Sequence, residues 1–206
     1  MSADFAQPLR ERDVDPDPVR QFRIWFEDAT MVGVRAPEAA AVATATPDGA
    51  PSIRMVLVKS CDADGFVFYT NYESRKGREL AANPAAALLF YWDALGRQVR
   101  IEGPAQRLSA EQSATYIRSR PRGSQLSALA SPQSSVIEGR AWLELRVAQL
   151  AVAHALGEPP LPEAWGGFRL VPQTFEFWQH REDRLHDRLL YSRGEAADWR
   201  LQRLAP

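Results

Sequence analysis

Between residues 40 and 108 the chain reverses at closely spaced turn-forming clusters, and that rhythm allows few folds. Pro47-Asp-Gly-Ala50 separates Ala40–Thr46 from Ser52–Lys59, Asp62-Ala-Asp-Gly65 precedes Phe66–Thr70, and Asp93-Ala-Leu-Gly96 separates Ala86–Trp92 from Arg97–Leu108. Pro, Asp and Gly supply the dihedral angles of tight turns, and the runs between them read as strands. One short helix, Arg75–Ala82, interrupts the series and stops at Asn83-Pro84, because the residue before a proline is pushed out of the helical region. Five or more antiparallel strands joined this tightly predict a barrel closed on itself, in a mainly β fold with added helices (α+β).

The flanks differ in character. Residues 1–17 are polar and rich in Asp and Arg, which predicts a mobile arm ahead of a single domain over 18–206. Asp17 is a natural N-cap with Pro18 at the first helical position, and Val19, Phe22, Phe26 and Ala29 recur at helical spacing to about Met31. A helical subregion follows over 109–156. Ser109 and Gln112 form a capping box, Tyr116 and Arg120 lie one turn apart, Pro121 ends that helix, and Gly123–Ala130 forms the next. Glu138–Leu156 reads as the longest helix, with Trp142, Leu145, Gln149 and Val152 in a stripe expected to be core. After the extended connector Gly157–Pro162, further strands are expected within 167–206 at Phe168–Val171, Phe175–Trp178, Arg184–Ser192 and Trp199–Leu204.

At 206 residues the chain is long enough for one sizeable core, and a net charge of −1 gives no reason to expect nucleic acid or an acidic membrane as partner. No apolar run approaches the roughly 20 residues of a membrane span, and Met1-Ser-Ala-Asp4 lacks the basic and apolar regions of a signal peptide, so a cytoplasmic protein is expected. The single cysteine, Cys61, excludes an internal disulfide, and no His, Cys and carboxylate spacing suggests a metal. Any anion site must therefore be a local cluster.

The densest chemical passage is Phe175 to Arg188. In an extended Arg184–Arg188 segment, Arg184, His186 and Arg188 project from one face and Leu185 and Asp187 from the other. Such a row needs an anionic ligand, carboxylate partners or solvent, and Asp183 and Asp187 are the counter-charges of the simplest alternative, an exposed strand. Of the 25 basic residues only Lys59 and Lys76 are lysines. Arg54 and Lys59 would stand at either end of one strand, facing opposite ways if it is uninterrupted. Tyr116, Arg120 and Ser124 can converge across the Pro121 break as a phenol, a guanidinium and a hydroxyl suited to a phosphate monoester, or form an ordinary helix surface.

Arg184-Leu-His-Asp-Arg188 preceded by Glu176-Phe-Trp-Gln179 resembles the C-terminal signature of the pyridoxamine 5'-phosphate oxidases. Arg54-Met-Val-Leu-Val-Lys59, Tyr69-Thr70, Ser74-Arg-Lys76, Arg97-Gln-Val99, Ser119-Arg-Pro-Arg122, Gln133-Ser134 and Arg203-Leu-Ala-Pro206 fall in the same order, from about Leu9 to the last residue. The resemblance implies an FMN-binding split barrel and a homodimer with flavin at the subunit interface. It further implies that a hydride passes from substrate C4' to flavin N5, that O2 reoxidises the flavin to give hydrogen peroxide, and that pyridoxal 5'-phosphate is the product. By the same resemblance, Arg54, Met55, Val56, Leu57, Val58, Lys59, Tyr69, Thr70, Arg75, Lys76, Gln98, Gln133, Ser134, Trp178 and Arg188 contact FMN. Lys59, Tyr116, Arg120 and Ser124 hold the phosphate of a B6 vitamer, and Arg184 and His186 hold its ring for catalysis. Where many relatives carry a longer arm whose Arg and Tyr fold over the substrate, this chain has Met1-Ser-Ala-Asp4, and Arg10 and Arg12 are the cations that could substitute. Two other functions fit the motifs less fully, a flavin oxidase acting on a phenazine precursor and a non-catalytic carrier of FMN or pyridoxal phosphate.

Overall fold

The computed structural model describes residues 7–194 and 198–206. Among them are nine strands, β1 (Ala39–Ala45), β2 (Pro51–Asp62), β3 (Gly65–Asn71), β4 (Ala85–Trp92), β5 (Arg97–Arg107), β6 (Trp165–Leu170), β7 (Thr174–Gln179), β8 (Asp187–Arg193) and β9 (Trp199–Arg203). Five helices accompany them, α1 (Pro18–Met31), α2 (Arg75–Ala82), α3 (Ala110–Ser119), α4 (Arg122–Ala130) and α5 (Arg140–Ala153).

Every strand pairing is antiparallel, and six strands close a ring in the order β4-β1-β2-β3-β6-β5, with β5 returning to β4. Strands β7, β8 and β9 continue outward from β5. The ring closes because its two longest strands pass from one sheet to another. β2 pairs with β1 through residue 57 and with β3 from Val58 onward, across a bulge between Val58 and Ser60. β5 pairs with β4 and β7 in its first half and with β6 over Ala105–Arg107. At that second crossing a Cβ on Gly103 would lie 2.0 Å from the Val171 carbonyl oxygen, so only glycine lets the backbones meet. This is the closed barrel that the turn spacing predicted, and the split barrel that the resemblance implied.

The core is aromatic. Phe66, Phe68, Phe90, Trp92, Phe168, Phe175, Phe177 and Tyr191 are fully buried. Helix α1 closes the barrel with the expected face, Phe22 meeting Phe66 and Phe90 edge-on at 4.8 and 4.9 Å and Trp25 meeting Phe177 at 5.1 Å. Asp17 caps it by accepting the Val19 N–H at 2.9 Å.

Three expectations change. The arm predicted to be mobile is tied down from Leu9 onward. Leu9 N–H donates to Asp187 Oδ2 at 3.0 Å, Arg203 holds both Leu9 O and the Glu11 carboxylate, and the Tyr191 hydroxyl donates to Asp15 O at 2.8 Å. Each partner lies on β8 or β9, more than 170 residues away in sequence, which is why local polarity did not reveal it; residues 1–6 lie outside the described residues. The strand expected from Arg184 begins at Asp187, because Glu182–Arg184 forms a 3-10 turn with Asp183 and Arg184 left-handed at φ 53° and 61°. Finally, the Trp142 stripe is not core, since Leu145 and Val152 are 60% and 79% exposed. Half-buried Leu143, Val147, Leu150 and His154 mark the covered face of α5, about one residue's rotation away.

Candidate active site

β3 turns directly into α2, and the turn is tight enough that a Cβ on Gly77 would sit 2.2 Å from the Tyr72 carbonyl oxygen. Ser74 caps the helix by accepting the Gly77 N–H. This close packing gathers Arg54, Thr70, Arg75, Lys76 and Gln133. Lys76 Nζ donates to Thr70 Oγ1 at 3.0 Å and Gln133 Oε1 at 3.3 Å, while Arg54 and Arg75 both reach the Glu79 carboxylate, at 3.3 and 2.8 Å. Burial works against the Glu79 charge. Hydrogen bonds from Ser52, Thr44, Arg75 and Arg54 outweigh it and pull the carboxyl from 4.5 down to about 2. Burial, followed by the charge of Arg54, lowers the Lys76 pKa. Two arginines thus share one carboxylate beside a lysine held by Thr70 and Gln133, and with the hydroxyls of Thr70 and Ser74 and a helix N-terminus these three cations suit a phosphate. Ser134 follows Gln133 in the left-handed region at φ 71°.

A second cluster lies on the other face of β3, where Tyr69 alternates with Thr70. Tyr69 and Tyr116 stack at 3.6 Å with an 11° interplanar angle, and the Trp165 ring lies parallel to both at about 6 Å (6.0 and 6.2 Å). Arg120 places its guanidinium over Trp165 at 4.6 Å, and its Nη1 is buried with no hydrogen-bond partner among the described residues. A buried charged donor without an acceptor costs free energy, so that nitrogen fits a site completed by an anion. Burial raises the pKa of both tyrosines, the neighbouring phenol adding to the effect at Tyr69 and Arg120 opposing it at Tyr116, so both remain hydroxyl donors at neutral pH. Ser124 is half-buried in the first turn of α4. Lys59 stands exposed at the β2 bulge beside Ser60, which shares a cavity with Tyr69 and Tyr116. The bulge removes the simple opposition of Arg54 and Lys59 expected for an uninterrupted strand.

Several of the remaining residues lie on one outward face that runs across β5, β7 and β8. Gln98, Trp178 and Arg188 are cross-strand neighbours in one row over β5, β7 and β8. Buried Glu176 anchors this face, accepting from Arg188 Nε at 2.8 Å and pairing with Arg100 at 2.6 Å. Met55 and Leu57, 64% and 46% exposed, share the face through the β1 and β4 pairings, whereas Arg54, Val56 and buried Val58 alternate to the other side of β2. The cofactor residues named from sequence are therefore divided between opposite faces of one strand. Arg184 is exposed on the 3-10 turn, and His186 packs its ring 4.6 Å from Trp178. They do not form the row with Arg188 that strand alternation predicted, because two left-handed residues reverse the chain ahead of β8.

Residues 26–153 match the sequence profile described as pyridoxamine 5'-phosphate oxidase. A pyridoxine/pyridoxamine 5'-phosphate oxidase of Rubrobacter xylanophilus is 56% identical over 198 residues, covering 96% of this chain and 91% of the relative. The chain belongs to the pyridoxamine 5'-phosphate oxidase family. Residues 165–206 match that family's C-terminal dimerisation region. The Paraburkholderia xenovorans relative of the same name is 54% identical over 195 residues, covering 94% of this chain and 91% of its own. Among solved structures, PhzG from Burkholderia lata 383 in complex with tetrahydrophenazine-1-carboxylic acid aligns with a TM-score of 0.90 at 35% identity over the whole of both chains. A pyridoxamine 5'-phosphate oxidase-related, FMN binding protein from Nostoc punctiforme shares the fold, with a TM-score of 0.72 at 17% identity, covering 94% of this chain and all of that one.

Sequence reading missed Glu79, Glu176 and Trp165 as parts of the site and named Asp187 only as a counter-charge. Trp165 had a usable signal in the glycines after it. A Cβ at Gly166 would meet the Tyr72 hydroxyl at 2.1 Å and one at Gly167 would meet the Tyr69 ring at 2.9 Å, so Trp165-Gly-Gly marks close aromatic packing. Among the described residues no group of His, Cys, Asp and Glu is arranged to hold a metal, and no helix is long and apolar enough to cross a membrane.

Proposed function

We propose that the protein is an FMN-dependent oxidase that converts pyridoxamine 5'-phosphate, pyridoxine 5'-phosphate or both, with O2, to pyridoxal 5'-phosphate and hydrogen peroxide, with ammonia released from the amine. The observation that carries this reading is the presence of two separate phosphate-suited clusters. One surrounds the start of α2 and the other surrounds the unpartnered Nη1 of Arg120. A cofactor and a substrate that each end in a phosphate monoester would need both.

In this reading Arg54, Thr70, Arg75, Lys76 and Ser134 hold the FMN phosphate. Gln98, Gln133, Trp178, Arg188, Tyr69 and the segment Met55–Lys59 surround the rest of the cofactor. The division of these residues between opposite faces of β2 supports a homodimer in which a second copy completes each flavin site, as does the match of residues 165–206 to a dimerisation region. FMN, when bound, supplies the hydride acceptor and passes the electrons to O2. Tyr116, Arg120, Ser124 and Lys59 fix the substrate phosphate, and Arg184 and His186 orient the pyridine ring. Arg184 favours the anionic form of the ring hydroxyl, and neither residue needs to act as a strong base. The alcohol substrate gives aldehyde and peroxide directly. The amine also consumes one water as its carbon–nitrogen bond is cleaved.

The likeness to PhzG supports a second reading, oxidation of a reduced phenazine. The Arg120 cluster favours the phosphorylated substrate, since a phenazine carboxylate brings no phosphate to it. Peroxide production by the FMN-loaded protein from pyridoxamine 5'-phosphate, pyridoxine 5'-phosphate and a dihydrophenazine separates the possibilities. Peroxide only from the dihydrophenazine selects the second reading, and none from any of the three leaves a carrier.

A further inference from the structure

The loop that carries Arg184 and His186 is closed at its base by one buried carboxylate. Gln179 and Asp187 pair across β7 and β8, and the loop between them contains the left-handed residues Asp183 and Arg184. Asp187 Oδ1 accepts from Arg203 Nη1 at 2.8 Å, and Oδ2 accepts the Leu9 N–H at 3.0 Å and lies 3.7 Å from Arg181 Nε. Arg203 reaches back to Leu9 O and to the Glu11 carboxylate, so Leu9 is gripped through both its N–H and its carbonyl. One side chain therefore joins the N-terminal segment, β9 and the entry of the loop at the residue that directly follows His186.

The loop's own geometry states what this arrangement fixes. The Arg181 backbone N–H donates to His186 Nδ1 at 3.1 Å. A backbone N–H can only donate, so Nδ1 is the acceptor and the ring proton of the neutral imidazole is on Nε2. We propose that Asp187 is a positioning residue that holds His186 as an Nε2–H donor, by anchoring Arg181 on one side of the ring and the start of β8 on the other. In the reaction, which rests on the function proposed above, this tautomer offers a hydrogen-bond donor to an electron-rich substituent of the pyridine ring and cannot draw a proton from it through Nε2. The tautomer itself does not depend on that function.

The test uses the full-length protein labelled with 15N in histidine. The chain has only three histidines, so His154→Gln and His180→Gln assign the spectrum by subtraction. In the wild type the His186 ring should show the two-bond nitrogen–proton pattern of the Nε2–H form. Asp187→Asn should introduce an Nδ1–H population and, with FMN content unchanged, lower kcat by about tenfold or more, within the hundredfold cost of an ångström's misplacement, while KM stays the same. A wild-type ring in the Nδ1–H form overturns the proposal, and so does an unchanged His186 tautomer in a folded Asp187→Asn protein. If that variant does not fold, Arg203→Gln removes a partner of Asp187 from the far side and carries the same expectations. An Nε2–H ring in a protein that makes no peroxide would count against the oxidase function and leave this inference standing.

Discussion

Arg120→Ala separates the two anion clusters more sharply than any other single change. The guanidinium lies over Trp165 at 4.6 Å with Nη1 buried and unpartnered among the described residues, so its removal strands no acceptor of Nη1 among them. The fold should lose only the cation–π contact, about 0.5–2 kcal/mol. The local backbone keeps its support, because the Gln125 side chain donates to the Arg120 carbonyl at 2.8 Å and the Arg120 N–H caps α3 at Ile117 O, neither of which needs the guanidinium. A substrate phosphate would lose a charge-assisted hydrogen bond of about 1.5–3 kcal/mol, which raises KM by roughly ten- to more than a hundredfold. Steady-state kinetics with flavin content measured on the same samples checks this. Retention of FMN with a raised KM is the expected result, whereas loss of FMN with KM unchanged would show that the Tyr116 helix serves the cofactor and that the division of the site is wrong.

Other perturbations bear on other parts of the account. Arg184→Ala or His186→Ala should depress kcat rather than bound FMN, since both are proposed to orient the ring, and the same paired kinetic and flavin measurements check it. Glu79 should make stability acid-sensitive. A folded pKa of about 2 against 4.5 unfolded contributes stability that is present above about pH 4.5 and lost as the pH falls toward 2. The effect is on the order of 1–3 kcal/mol after allowance for solvent screening, and the fall of the urea midpoint from neutral to acid pH should be smaller by that amount in Glu79→Gln than in the wild type. Gly77→Ala should cost at least about 1–3 kcal/mol from overpacking against the Tyr72 carbonyl, read as a lower thermal midpoint together with weaker FMN binding as α2 is displaced.

The barrel was legible because its information is local. Pro47-Asp-Gly and Asp93-Ala-Leu-Gly each fix a reversal within a few residues, and the strands between them form near the predicted limits. The Asp17-Pro18 start of α1 and the Ser109 capping box were legible for the same reason, since each cap involves residues two or three apart. What stayed hidden depends on distant or unusual geometry. The reversal at Asp183-Arg184 contains no glycine or proline, so the segment passed for a strand, and the pairing of Leu9 with Asp187 and Arg203 spans nearly the whole chain. The covered face of α5 depends on where α4 lies, which periodicity alone does not specify. The cation cluster at α2 was legible as residues, but the Glu79 carboxylate that organises two of its arginines was not, because a glutamate inside a short helix carries no local signal of burial.

The central claim, that this chain oxidises a phosphorylated B6 vitamer through bound FMN, is tested most directly by anaerobic single-turnover mixing of the FMN-loaded protein with pyridoxamine 5'-phosphate and pyridoxine 5'-phosphate. The account predicts that at least one of them bleaches the visible flavin band, with one pyridoxal 5'-phosphate formed per flavin, and that the colour returns when O2 is admitted. A flavin band that neither vitamer bleaches, in a protein that has taken up FMN, would contradict it.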